Sequence, residues 1–283
     1  MTQDHVAIII VNWNGYEDTR ECLRSLAQCV TDAKMDILVV DNGSTDATEI
    51  TRLEDEFPGI TTLRNDDNRG FTGANNQGFR WALERQVDYV LILNNDTVVE
   101  KDFLGPLLHT AHQNERSIVG PKIIFFGSRK LQNIGCNFTS WYGGRNIGQG
   151  KDPARFTGSY RPDYLSGCCW LMPIRALRDI GYFDDYFFAY TEDVDYSFRA
   201  REAHYELIVE SKSVIYHKHS LSTKGSCVKQ YYRGRNMKYL LQKYQYPFLV
   251  RWMSLVTLGL IVILYNRHLG CLKEYLRGIR TLS

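Results

Sequence analysis

Val6–Val11 reads V-A-I-I-I-V and runs straight into Asn12-Trp13-Asn14-Gly15. An unbroken apolar run of this length, mostly β-branched and closed by a turn, predicts a strand buried on both faces. Outward from it the pattern repeats. A short helical pattern carries Cys22, Leu23 and Leu26 on one face. Ile37–Val40 is a second buried strand, closed by Asp41-Asn42-Gly43-Ser44-Thr45-Asp46, where Thr45 or Asp46 can cap the next helix. Ile60–Leu63 is a third strand. Asn68–Gly73 is a glycine-bearing turn before a helix through Trp81 and Leu83. Tyr89–Leu93 is a fourth strand, ending at Asn94-Asn95-Asp96. Strands alternating with helices predict an α/β fold with a mostly parallel central sheet flanked by helices.

From Ile118 to Leu171 the chain is less regular and rich in Gly, Tyr, Asn and Arg, which predicts strands and a long site-lining loop. Arg175–Ile180 and Glu192–Arg201 read as short helices, the second with Val194 and Phe198 on its buried side. Val214–Tyr216 reads as a strand ending at His217. Beyond it come helical patterns only, at Val228–Tyr244, Phe248–Tyr265 and Leu269–Ile279. The division predicted is a catalytic domain over residues 1–227 and a basic helical extension over 228–283.

The chain has 283 residues, 44% hydrophobic and 23% charged, with a net charge of +2. That composition suits a folded domain and disfavours a nucleic-acid binder. The charge is uneven: residues 228–283 hold ten Lys/Arg against Glu274 alone, a net +9, leaving −7 on the preceding 227 residues. An acidic body and a basic tail imply two surfaces with different partners. Seven cysteines without a C-x-x-C pair argue against a disulfide framework or a zinc ribbon, and for a reducing compartment. No signal-peptide pattern is read at the N terminus, so the N-x-[ST] triplets at Asn42, Asn95 and Asn137 are not expected to be glycosylated.

In open α/β sheets, ligands gather at the carboxyl ends of the strands. Three strands here end in amide- or acid-bearing turns, at Asn12, at Asp41-Asn42 and at Asn94-Asn95-Asp96. Each alone is an ordinary loop composition. Together on one sheet edge they describe a polar cleft. Gly73–Gly78 has the glycine spacing of a P-loop, but Phe79-Arg80 replaces the required Lys-[Ser/Thr] and the stretch lies inside a helical pattern. The first strand lacks G-x-G-x-x-G, so a dinucleotide site is not predicted either.

Five stretches in order, V-A-I-I-I-V-N-W-N-G from Val6, D-I-L-V-V-D-N-G-S-T-D from Asp36, N-R-G-F-T-G-A-N-N-Q-G from Asn68, L-I-L-N-N-D-T from Leu91 and T-E-D-V-D-Y-S-F-R from Thr191, resemble family 2 glycosyltransferases of the GT-A fold, nearest the bacterial rhamnosyltransferase-like branch of cell-surface polysaccharide synthesis. The similarity spans Val6 to His217. It implies a nucleoside-diphosphate-sugar donor of dTDP-rhamnose or UDP-hexose type, Mg2+ or Mn2+, and inversion at the anomeric carbon. It maps base binding onto Asp41, with Asn12, Asn42, Asn68, Gly70, Asn75 and Asn95 completing the nucleotide pocket. The D-x-D-type metal motif falls on Asn94-Asn95-Asp96, where only Asp96 is acidic, and His217 matches an auxiliary ligand of some relatives. Asp193 maps onto the catalytic base, beside Glu192 as a hydroxyl-binding partner. Arg235 looks like a diphosphate contact, in a segment with Arg233 and Asn236.

The chemistry suits these residue types. Charge grows on a leaving diphosphate, which a hard cation on oxygen ligands stabilises as a Lewis acid. A carboxylate within hydrogen-bond reach takes the proton of the attacking hydroxyl. Without the resemblance, Glu192 and Asp193 would read as acids favoured in a first helical turn, Asp195 as a solvated or Arg-paired neighbour, and His217 and His219 as polar loop residues. Cys168 and Cys169 read as small buried residues. Trp170 reads as core or as a stacking platform for an acceptor sugar.

In the tail, Trp252–Asn266 is an uncharged run of 15 residues, short of the roughly 20 a spanning helix needs. A helix lying at a membrane interface is expected, with Arg251, Arg267, Lys273, Arg277 and Arg280 facing anionic headgroups. A packed helix of a homodimer is the alternative. The expected place is the cytoplasm, peripheral on the inner face of the membrane, with a glycan or polyprenyl-diphosphate-linked acceptor. Rival readings are a UDP-galactofuranose donor, a sugar-phosphate nucleotidylyltransferase and a sugar-nucleotide-binding pseudoenzyme.

Overall fold

The computed structural model describes residues 3–141, 143–218, 227–266 and 269–281, with the backbone alone at 265, 266 and 269; His219 and Arg267 lie outside the described residues. The first half builds β1 (His5–Asn12), α1 (Tyr16–Ala27), β2 (Lys34–Asp41), α2 (Thr48–Glu56), β3 (Ile60–Arg64), α3 (Gly70–Glu84), β4 (Tyr89–Asn94), β5 (Thr97–Val99) and α4 (Leu104–Gln113). The irregular middle contributes β6 (Ser117–Phe125), β7 (Leu131–Asn133), β8 (Cys136–Thr139), β9 (Gly143–Asn146), β10 (Ser159–Tyr160) and β11 (Cys169–Pro173). Then come α5 (Ala176–Asp179), α6 (Glu192–Glu202), β12 (Glu206–His217), α7 (Val228–Lys243), α8 (Phe248–Asn266) and α9 (Leu269–Arg280).

The main sheet runs in the order β10-β12-β6-β11-β4-β1-β2-β3, with β5 on β12 and β7 on β6. Strands β3, β2, β1 and β4 are parallel, and β11 enters antiparallel between β4 and β6. The opening stretch lies at its centre. Val6, Ile8 and Ile10 enter the core on one face of the sheet, while Ala7 and Ile9 enter the core on the other, the period-2 division of a strand covered on both sides. Helix α3 lies so close to β1 that a Cβ at Gly78 would meet the Ile9 side chain at 2.5 Å.

Two expected boundaries shift. The Asn68–Gly73 turn is shorter than expected, because α3 begins at Gly70. The last strand begins at Glu206, well before Val214; it pairs in parallel with β6 and carries an irregularity between Glu210 and Val214.

The tail helices are cemented to the body. Met237, Leu240 and Leu241 of α7, Leu258 and Val262 of α8 and Tyr275 of α9 share one buried cluster with Cys136, Tyr164, Phe187 and Val194. Asp195 is fully buried and paired with Arg199 at 2.9 Å and with Lys243 of α7 at 2.7 Å, so it is an ion-paired strut and not solvated. A disulfide joins Cys227 to Cys271, tying the start of α7 to α9. The expectation of wholly reduced cysteines is corrected there: folding brings the two together across 44 residues that carry no spacing signature. The other five are free, and burial pushes the Cys168 and Cys169 thiols far up, as suits inert core residues. Among the described residues no helix is long and apolar enough to cross a membrane.

Candidate active site

Parallel register brings the strand ends together. Asn12 stands opposite Asp41, and Val11 opposite Asn94, so all three polar turns leave one edge of the sheet at the β1/β4 switch point. Asn12 is fully buried: its amide donates to Asp41 (3.2 Å), Ser44 (3.2 Å) and Glu49 (2.9 Å), and its carbonyl accepts from Thr19 (2.8 Å). Asp41 is also buried, with Arg64 at 3.3 Å from Oδ2, an atom that accepts no hydrogen bond among the described residues. Asn42 donates to Asn68 and Gly70 and accepts from Asn65 and the Arg69 N–H. The Asn75 amide bonds the Phe71 carbonyl, and that of Asn95 bonds Thr19. Gly70 adopts φ +73° against Phe188, which a Cβ would strike. Asn12 and Asn42 therefore spend their side-chain polar groups holding the turns in shape, which gives those two side chains a framework role where direct nucleotide contact is expected.

The second cluster arises from long-range pairing. Residue His217, at the end of β12, pairs with Thr97 of β5, and this ladder seats the imidazole against the turn after β4. Its Nε2 lies 3.1 Å from Asp96 Oδ1, and its Nδ1 lies 3.0 Å from Gln132 Oε1. Among the described residues no group of three or more His, Cys, Asp or Glu is gathered for a metal. The pair present still fits a divalent cation in kind: one carboxylate oxygen, and one imidazole whose far nitrogen has an orienting acceptor.

The third cluster is the start of α6. Phe188, Tyr190 and Thr191 precede it with φ of 47°, 68° and 75°, left-handed values that non-glycine residues adopt at a cost. The amide of Asn236, buried in α7, reaches the carbonyls of Phe187 (3.0 Å), Ala189 (2.8 Å) and Tyr190 (2.6 Å) and clamps this segment. Asp193 then accepts from the Gly167 N–H (3.2 Å) and from the Val194 N–H (2.9 Å). Burial pushes its carboxyl up to about 6, against the pull of those two donors. Burial, and then the neighbouring Asp193 charge, hold Glu192 well above the carboxylate range, and its Oε2 has no hydrogen-bond partner among the described residues. Both acids are thus raised, Asp193 to about 6 and Glu192 well above its ordinary range.

Asp193 and Asp96 share one sheet edge. Antiparallel pairing sets Cys169 opposite Leu93, and the Cys168 carbonyl accepts from the Asn94 N–H at 2.9 Å. Gly167, the donor to Asp193, is the next residue along. Asp193 also lines a cavity of about 300 Å³ with Tyr164, Tyr190, Lys229, Arg233 and Leu258.

One expected contact is displaced. Trp170 is 1% exposed, packed on Phe183 and Tyr196 with its N–H bonded to the Ser166 carbonyl, so it is core and not a sugar platform. Arg235 is not in the cavity wall; its guanidinium lies 4.4 Å over the Tyr186 ring. Lys229 and Arg233, one turn apart on α7, face the cavity. Sequence reasoning missed Lys229 and Tyr164 entirely; helical spacing from Arg233 was the available signal for Lys229.

The family model described as glycosyl transferase family 2 matches residues 7–181, more than half of the chain. The chain belongs to glycosyl transferase family 2. Among relatives of this family, the low-salt glycan biosynthesis hexosyltransferase Agl10 of Haloferax volcanii is 28% identical over 204 residues, 70% of this chain and 62% of that protein. The N-acetylglucosaminyl-diphospho-decaprenol L-rhamnosyltransferase of Mycobacterium tuberculosis is 26% identical over 243 residues, 76% of each. This chain thus spans less than two thirds of the length of Agl10. Among solved structures, GalNAc-T7 with UDP, GalNAc and Mn2+ superposes with a TM-score of 0.65 at 14% identity, over 76% of this chain and 44% of that one. S. aureus TarS 1–349 in complex with UDP gives 0.57 at 16%, over 93% and 72%. The fold of this glycosyltransferase is GT-A, with a mainly parallel central sheet and a helical C-terminal region.

Proposed function

We propose that this glycosyltransferase moves a sugar, with inversion, from a nucleoside-diphosphate donor of dTDP-rhamnose or UDP-hexose type to a lipid-linked glycan, with Asp193 as the base. The observation that carries this reading is the Asp193 carboxyl: it lines a cavity, ionises near neutrality and stands on the same sheet edge as the Asp96–His217 pair. The mycobacterial relative's name describes L-rhamnosyl transfer to a decaprenol-diphosphate-linked sugar, and this is the acceptor class proposed here.

An acceptor hydroxyl in the cavity hydrogen-bonds to ionised Asp193. Its oxygen attacks the anomeric carbon and its proton passes to the Asp193 carboxylate. The bond from that carbon to the diphosphate breaks, and the diphosphate leaves with the electron pair. Attack from the face opposite the leaving group inverts the centre. Glu192 is the hydroxyl-binding partner beside the base. Asp96 and His217 would hold Mg2+ or Mn2+, which when bound neutralises charge on the departing diphosphate. Buried Asp41, ion-paired with Arg64, is the proposed base contact.

The reading extends to the membrane. Leu249, Trp252, Val256, Leu260 and Ile263 form one exposed apolar stripe along α8, and Lys273, Arg277 and Arg280 an exposed basic face on α9. This pairing suits an anionic bilayer surface on the cytoplasmic side.

The test is Asp193→Asn. Transfer is expected to fall roughly 100- to 10,000-fold while UDP or dTDP still raises the melting temperature. Loss of nucleotide binding along with transfer would assign Asp193 a structural role. Donor hydrolysis with Mn2+ in the wild type, abolished in Asp96→Ala, would dispose of the pseudoenzyme alternative.

A further inference from the structure

The cavity beside Asp193 holds two cations that the reaction as derived does not use. Lys229 and Arg233 sit one turn apart on α7, both half-buried; burial depresses both, and for Lys229 the neighbouring Arg233 charge adds to it. Among the described residues neither has a carboxylate at ion-pair distance. Lys229 instead lies 5.4 Å from the centroid of the Tyr190 ring. Two like charges held side by side in a half-open pocket repel each other, and an anion joining them relieves that cost.

The nucleotide end does not supply that anion. The cavity is walled by the β8–β9 hairpin, the start of α6, α7 and α8, and none of Asn12, Asp41 or Asp96 lines it. Its remaining walls are apolar and aromatic, with Phe138, Tyr164, Met237 and Leu258. Leu258 belongs to α8, whose outer face carries the exposed apolar stripe. A ligand with a sugar near Asp193, a diphosphate on the cations and a hydrocarbon tail leaving along α8 meets each wall with its own chemistry.

We propose that Lys229 and Arg233 form a second phosphate site that binds the diphosphate of a prenyl-diphosphate-linked acceptor, separate from the site of the donor's diphosphate. The assignment rests on the reading of Asp193 as the base at the acceptor end. Arginine takes phosphate oxygens in pairs and lysine takes them as a point charge, so the two together suit a bridged diphosphate.

The experiment is calorimetric titration of the full chain with farnesyl diphosphate and with inorganic pyrophosphate, in the presence of saturating UDP. Farnesyl diphosphate is expected to bind alongside UDP. Lys229→Gln and Arg233→Gln should each weaken it about 10- to 100-fold, and Arg233→Lys by less. UDP affinity should stay unchanged in all three, which also reports that each variant is folded. Inorganic pyrophosphate should bind more weakly than farnesyl diphosphate, because it leaves the apolar walls uncovered. Displacement of farnesyl diphosphate by UDP would overturn the proposal by placing both in the donor site. Equal affinity in wild type and the folded variants would overturn the role of the cations. Equal affinity for the two probes would overturn the lipid-borne source. None of these readouts depends on turnover, so their failure is distinct from survival of transfer in Asp193→Asn, which would instead remove the base.

Discussion

At the scale of single residues, the acid pair at the start of α6 sets the pH behaviour. A base must be ionised to act, and burial raises Asp193 to about 6. Transfer measured as kcat/KM is therefore expected to climb through pH ~6 and level off above it, and a flat profile between pH 5 and 8 would remove Asp193 from the role. Stability runs the other way. A carboxyl raised in the folded state stabilises the fold while protonated, and that contribution fades as pH rises from its unfolded value through about 6. Asp193→Asn should thus melt a few degrees above wild type at pH 8 and level with it near pH 4. Asn236 is a positioning residue: it touches no reacting group but holds three carbonyls of the left-handed segment before α6. Asn236→Ala is expected to lower kcat by about tenfold or more with little change in donor KM, since a misplaced base loses rate before it loses binding. A purely structural role would move the melting temperature and spare kcat.

At the scale of elements, the α6–α7 contact joins catalysis to the tail. Asp195 and Lys243 pair at 2.7 Å, Asp184 takes a second bond from Lys243 at 2.7 Å, and Tyr239 adds a third at 3.0 Å. Helix α7 thereby carries both the clamp on the strained segment and the two cavity cations. The Cys227–Cys271 bridge tethers its first turn. Closing a loop of that length is worth about 2–4 kcal/mol through the unfolded chain, so dithiothreitol, or Cys227→Ser with Cys271→Ser, should lower the melting temperature by several degrees. A scan unmoved by reductant would show that the bridge carries no such load.

At the scale of the whole molecule, α8 has an inner face of Ser254, Leu258 and Val262 and an outer apolar stripe. Its inner residues belong to the core, so the tail cannot be removed as a detachable extension; point changes on the outer face test it instead. Wild type is expected to float with phosphatidylglycerol-containing vesicles, and Trp252→Glu with Leu260→Glu to remain at the bottom, each lost apolar contact being worth ~1.5–3 kcal/mol. A stable dimer in solution that this double variant dissolves would assign the stripe to a second copy. The strands, their polar ends, the tail helices and the family motifs were legible in the residues alone, because a buried strand such as Val6–Val11 and a helix stripe are written in spacings of two to four residues. Tertiary structure alone decided that Trp170 is core, that Asn12 and Asn42 brace the turns, that Arg233 and Lys229 rather than Arg235 face the cavity, and that Gly167 delivers a hydrogen bond to Asp193. Those outcomes depend on register between distant segments, β11 against β4 and β12 against β5, and on which side of α7 the body covers. No local periodicity encodes a register: it emerges when many buried contacts are satisfied at once.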